Sequence, residues 1–357
     1  MSNRCSALLL CSFHELISDL YDGFLYKERR KELGIKPPER STIAPIARWD
    51  LDVFAGPYTW VIEATAIFDV GAAIVNLPIS GAQSGIFMWT TLGHETVGHD
   101  ILHADFGLRE ELQTAIWNEL KKENIDDRII HHWVDRIDET ASDVLEILNM
   151  GPMAAVGTVG FLRAANPEMV LDNIGTEGEA HPISILRGYL AASVVELLSF
   201  DGRVDKDKRF WADYIRSKAD EDLKKRSNEL KLSWKRLDPE MSKTSAKIVA
   251  KAIATTQLSS LENHRLIDVQ NWSNEDEEIV KAFRELNPYE NLPLEYTKDD
   301  KFYATHVVAA AIRDALRENA KMPSIFNHMI DVLDDMHNWH LIHKIKRYED
   351  YSKGETQ

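Results

Sequence analysis

The sequence predicts a mainly α protein, with room for a small N-terminal sheet before residue 80 that would make it α+β. Apolar residues recur at helical spacing over 109–123 and 126–148. Glycine and proline punctuate such stretches, as at Gly34 with Pro37-Pro38 and at Gly151-Pro152. Residues 58–79 are rich in Val, Ile and Thr, which favours extended structure and leaves helix as the alternative there.

In chain order, a first helix is expected over 15–33, stopped by Gly34 and the two prolines. A loop leads to the extended segment, whose last part Pro78 would push to a sheet edge. Residues 80–85 form a connector, and the apolar run 86–92 leads into the histidine cluster described below. After the two helices at 109–123 and 126–148, residues 153–165 read as a buried helix whose Gly157 and Gly160 let another backbone come close. A loop over 166–180 precedes an apolar stretch at 183–200. From Asp201 to Trp234 charged residues crowd together, the pattern of a solvated helix face, and at least four more helical patterns follow up to His343. The change in composition places a soft boundary between a metal-binding region, 1–200, and a helical C-terminal region, 201–357, which could equally form one domain.

A chain of 357 residues, 44% apolar and 28% charged, can bury a sizeable core. Its 42 basic and 58 acidic residues leave a net charge of −16, which repels phosphate backbones and excludes nucleic acid as an expected partner. Cys5 and Cys11 are the only cysteines, so no disulfide framework or four-cysteine zinc cage is available, and a reducing, cytoplasmic setting is expected. The apolar run from Ala7 to Cys11 is too short for a secretory signal. The stretch 61–79 is interrupted by Glu63, Asp69 and Asn76, and 150–165 falls short of the ~20 residues of a membrane span. A soluble protein acting on a peptide or small-molecule substrate is the expectation, with oligomeric state left open.

Residues 93–105 hold three of the thirteen histidines, His94, His99 and His103, among the carboxylates Glu95, Asp100 and Asp105. Neutral imidazole and carboxylate are the side chains that divalent transition metals select. His94 and His99 are five residues apart, and a regular helix would leave them roughly 140° apart around its axis. A π turn would bring both to one face, and Gly98 would ease the distortion. The alternative needs no distortion: Glu95, His99 and His103, spaced by four, form a stripe suited to an iron or manganese centre between helices. On 126–148, His131, Asp135, Glu139 and Asp143 recur every four residues beside apolar positions. Carboxylates pointing inward there would need a metal or a cation, whereas a solvated acidic face would not. His337, His340 and His343, spaced by three, suggest a second metal site, but their interleaving with Asn338 and Lys344 favours the exposed flank of the last helix.

The order His94-Glu95-x-x-x-His99, Glu139-x-x-x-Asp143 and His181-Pro182-x-x-x-x-Arg187 resembles that of gluzincin metallopeptidases, in particular the HtpX and CAAX-prenyl-protease type. The five-residue spacing, with glycine directly before the second histidine, is similar to the HExxxH motif of TldD-type peptidases. The resemblance covers roughly residues 86–190. It implies that His94, His99 and Glu139 bind zinc and that Glu95 is the general base. It further implies that Arg187 lies near the site as a catalytic residue with Glu95, and that Asp143 and His181, with His103, support the ligands or replace one of them. An extended peptide would lie along the open edge of the strand ending near Asn76-Leu77-Pro78. Two other readings are carried forward. The adjacent His99-Asp100 pair resembles the HD phosphohydrolases, and a non-enzymatic helical interaction protein would use metal structurally or not at all.

Overall fold

The computed structural model describes residues 3–40, 43–51, 56–68, 71–82, 85–285 and 302–352, without the side chains of 3–8, 28 and 342–352. It is mainly helical with two small sheets. The first amphipathic stretch forms α1 (Asn3–Leu25) and α2 (Lys27–Glu32), not one helix. Arg30 Nε donates to the Phe24 carbonyl at 3.1 Å, satisfying the end of α1, and Tyr26 turns extended between the two. The Arg30 guanidinium is fully buried and also pairs with Asp105 at 2.8 Å, which removes Asp105 from the candidate ligands.

The expected extended segment divides into β2 (Tyr58–Trp60) and β3 (Ile74–Pro78) around the short α3 (Ile62–Ala66), and β1 (Ile46–Asp50) lies in the preceding stretch expected to be loop. The strand order is β1-β3-β2, with β1 parallel and β2 antiparallel to β3. β3 is therefore central, and Pro78, paired with Asp50, does not mark a sheet edge. The edge that faces the histidine cluster is β2.

From the sheet the chain enters α4 (Ile86–Gly93), a π turn at His94–Gly98 and α5 (His99–Ala104). Next come α6 (Leu108–Lys122), α7 (Asp127–Val134) and α8 (Ile137–Met150). The expected helix at 126–148 is thus broken. The Arg136 guanidinium donates to the carbonyls of His132, Thr176 and His181, and its backbone leaves the helical region. The four-residue stripe is interrupted there, with His131 and Asp135 exposed while Glu139 and Asp143 turn inward. α8 is buried on every side from Thr140 to Met150. α9 (Pro152–Ala165) crosses α4 so closely that a Cβ on Gly157 would sit 2.1 Å from Thr90 Oγ1.

The remaining elements are β4 (Ile174–Gly175), α10 (Ser184–Leu197), α11 (Lys208–Lys225), β5 (Leu230–Leu232), β6 (Lys235–Leu237) and α12 (Pro239–Thr255). After them come α13 (Leu266–Val269), α14 (Asn274–Glu285), α15 (Ala304–Ala315) and α16 (Met322–Ser352). β4, β5 and β6 form a second sheet, of which only β5 falls within the charged stretch 201–234. α11 buries Trp211, Ile215 and Ala219 and solvates its charged face. One buried apolar cluster runs from Leu9 to Met336, drawing on residues both before and after 200. Among the described residues, no helix is long and apolar enough to cross a membrane.

Candidate metal centre

The π turn places His94 and His99 on one side of the helix, with ring centroids 5.1 Å apart and planes nearly perpendicular at 82°. One extra residue in the turn supplies the rotation that a regular helix lacks. Gly98 is needed for a reason other than backbone freedom, since its φ of −64° is ordinary right-handed helix. A Cβ on Gly98 would lie 2.2 Å from Ser142 Cβ and 2.5 Å from Ser142 Cα. Gly93, on the other side of the turn, would place its Cβ 2.8 Å from Glu146 Cγ. The two glycines let α8 approach closely enough for its carboxylates to reach the imidazoles.

Glu139 meets both histidines. His94 Nε2 lies 2.9 Å from Glu139 Oε2, and His99 Nε2 lies 3.7 Å from Glu139 Oε1. The three side chains offer ligand atoms within 4.8 Å of one another. Neighbouring ligands around a tetrahedral ion with bonds of ~2.05 Å stand ~3.3 Å apart, so the observed separations bracket what zinc requires. His94 Nδ1 lies 2.9 Å from Asp143 Oδ1, which fixes the ring's orientation. Arg187 clamps the same carboxylate by two hydrogen bonds, Nε to Oδ2 at 2.8 Å and Nη2 to Oδ1 at 2.7 Å.

Electrostatics follow from this packing. Burial favours neutral His94, but the hydrogen bonds to Asp143 and Glu139, with their charges, outweigh it and hold its pKa well above the usual imidazole range. A carboxylate can only accept, so His94 donates from both nitrogens and carries a proton. Burial keeps His99 neutral by lowering its pKa, as does the charge of His94. Burial opposes the charge of Glu139, yet hydrogen bonds from His181 and His94 hold its pKa far below the usual carboxylate range. Burial also opposes Asp143, and Arg187 overcomes it to bring that carboxyl to about 2.

His181 reaches Glu139 Oε2 at 3.1 Å from the solvent side, with half of its side chain exposed. Glu95 is buried within the π turn, and Thr59 Oγ1 of β2 lies 2.8 Å from both its backbone oxygen and its Oε2. The structure therefore brings His94, His99, Glu139, Asp143, His181 and Arg187 together, with Glu95 on the same turn. His103 does not join them. Because the turn is π, the straight-helix stripe of Glu95, His99 and His103 does not form, and His103 instead faces Glu63 at 3.2 Å and Asp138 at 3.7 Å. Asp100 is fully buried, and no group of described residues able to share an ion includes it.

Two residues at the site were not anticipated. Thr59 gave no signal, because a three-residue strand has no periodicity to read. Glu146 did: it interrupts the apolar run 144–148, and the structure buries it beside Thr158, whose hydroxyl donates to both its oxygens at 2.9 and 3.0 Å. Burial, reinforced by the charge of Asp143, pushes the Glu146 carboxyl up to about 8. No protein-family model, curated protein or solved structure matches this chain.

Proposed function

We propose that the protein is a zinc-dependent hydrolase of the peptidase type. The observation that carries this reading is the convergence of His94 and His99, through the π turn, on Glu139, with Glu95 buried in the same turn. Two imidazoles and one carboxylate would leave a coordination position open, and bound zinc would supply the Lewis acidity that brings the pKa of water toward ~7.

The chain's own residues do the rest. Glu95 is the general base: Thr59 holds its Oε2, leaving Oε1 to accept a proton from water and return it to the leaving amine. Asp143 accepts from His94 Nδ1 and thereby keeps Nε2 aimed at the centre, while Arg187 neutralises the buried carboxylate that does so. His181 donates to Glu139 from the solvent side. β2 ends the sheet, so an extended peptide can pair along its outer side and arrive next to Glu95. The same ligand triad suits mononuclear iron, but the placement of a second carboxylate, Glu95, inside the turn favours hydrolysis.

The test combines metal analysis with one substitution. Protein purified without a histidine tag should carry one zinc per chain at this site and cleave members of a casein-derived peptide library. Glu95→Gln should keep that zinc and lose the cleavage. A fully active Glu95→Gln variant, or iron in place of zinc, would overturn the reading.

A further inference from the structure

α1 presents Glu15 and Asp19, four residues apart, on one face, and α16 presents His337 and His340 opposite them. Their surroundings are apolar, with Leu16, Ile17, Leu20 and Leu333 completely buried. Two carboxylates in such an interface are unfavourable unless cations meet them. Glu15, 5% exposed, is met by both histidines: His337 Nδ1 lies 3.1 Å from its Oε2, and His340 Nδ1 bonds its Oε1. Asp19 accepts the Ala304 N–H at the start of α15. Burial, and then the charge of Glu15, push its carboxyl up to about 8. Glu15, Asp19 and His340 offer ligand atoms within 4.8 Å of one another. His340 is 35% exposed, which provides an entry path from solvent.

The structure assigns, we infer, a second divalent-metal site to Glu15, Asp19 and His340, with His337 fixing the remaining Glu15 oxygen, and this site fastens α16 onto α1. Imidazole among the ligands selects a first-row transition ion over calcium or magnesium. Three protein ligands leave room for water. The site shares no residue with the centre on α8 and does not depend on its function. The pairing of His337 and His340 with Glu15 corrects the expectation that they flank an exposed helix face, while the side chain of His343 lies outside the described residues.

The experiment is a Co2+ titration of the chelator-stripped full chain, followed by calorimetry and visible absorption. His99→Ala, which disables the first centre, should still bind one equivalent. Adding either His340→Ala or Glu15→Gln to it should weaken that equivalent at least tenfold. Circular dichroism checks the fold of each variant. In His99→Ala, Co2+ should also slow amide exchange across 322–341, and this slowing should vanish with His340→Ala. Absence of binding in folded His99→Ala, or binding indifferent to both added substitutions, would overturn the site. Binding without slower exchange in α16 would overturn its fastening role.

Discussion

Gly98→Ala tests the packing on which the centre depends. The added methyl would stand 2.2 Å from Ser142 Cβ, an atom fixed to the backbone of α8, whereas ordinary contact begins at 3.4 Å, so α8 must recede by about 1.2 Å. Glu139 is three residues before Ser142 on the same helix and moves with it. Metal ligands tolerate displacements of only ~0.2 Å, so zinc affinity should fall by at least ~100-fold. Overpacking should destabilise the fold by about 1–3 kcal/mol, offset by up to ~1 kcal/mol from the better helix propensity of alanine. Competition with a chromophoric chelator reads the affinity, and urea unfolding of the metal-free protein reads the stability. Gly71→Ala is the control, because nothing lies within 4 Å of its added Cβ. A Gly98→Ala variant with unchanged zinc affinity and stability would refute the claim that this close approach holds the ligands together.

Asp143→Asn should lower zinc affinity by about 10–100-fold, through loss of the anionic acceptor on His94, and should destabilise the chain by about 3–5 kcal/mol because Arg187 loses its buried counter-charge. Chelator competition and urea unfolding would measure the two effects, and wild-type values in both would contradict the network. Thr59→Val should leave zinc stoichiometry unchanged and reduce kcat by about tenfold, the effect of losing the hydrogen bond that orients the proposed general base; equal kcat values would remove Thr59 from the mechanism. The pH dependence of stability should show His132. Burial, then the charge of Arg136, lower its pKa from 6.5 to about 3, so the unfolded chain takes up a proton that the native one refuses. That stability is complete above pH 6.5 and is lost as pH falls, by about 2 kcal/mol between pH 7 and 5. Urea unfolding of the wild type and His132→Gln at both pH values checks this, and identical slopes would refute it.

Much of the centre was legible in sequence because its chemistry is unusual for its spacing. A five-residue gap between histidines makes sense as one site only if the helix is locally widened, and the π turn at His94–Gly98 is that widening. The apolar neighbours of the stripe on 126–148 left inward and solvated carboxylates equally open, and only the motif order pointed to Glu139 and Asp143. The rest depends on contacts that sequence spacing does not encode. Arg136 is an ordinary helix residue until it finds carbonyls at Thr176 and His181, 40 and 45 positions away, and breaks the helix to reach them. β1 lacks an alternating pattern because it is mostly half-buried, so nothing distinguished it from loop. His337 looked solvated because its partner, Glu15, stands 322 residues earlier in the chain. For Gly98 the position was right and the reason was not: the glycine is required by a neighbouring helix, and the π backbone itself would accept alanine.

The charges explain how these ionisable groups can share a buried interface. Asp143 and Arg187 cancel, and the proton on His94 offsets Glu139, so the closest buried groups are neutral as a set. That proton lies between His94 Nε2 and Glu139 Oε2, on two of the side chains that would hold an ion. If zinc binds there as proposed, that proton would pass to solvent. His99 needs no deprotonation, because burial already keeps it neutral. The hydrogen bonds among His94, Glu139, Asp143 and Arg187 thus fix the side chains proposed to hold an ion, a preorganisation that would lower the cost of binding one.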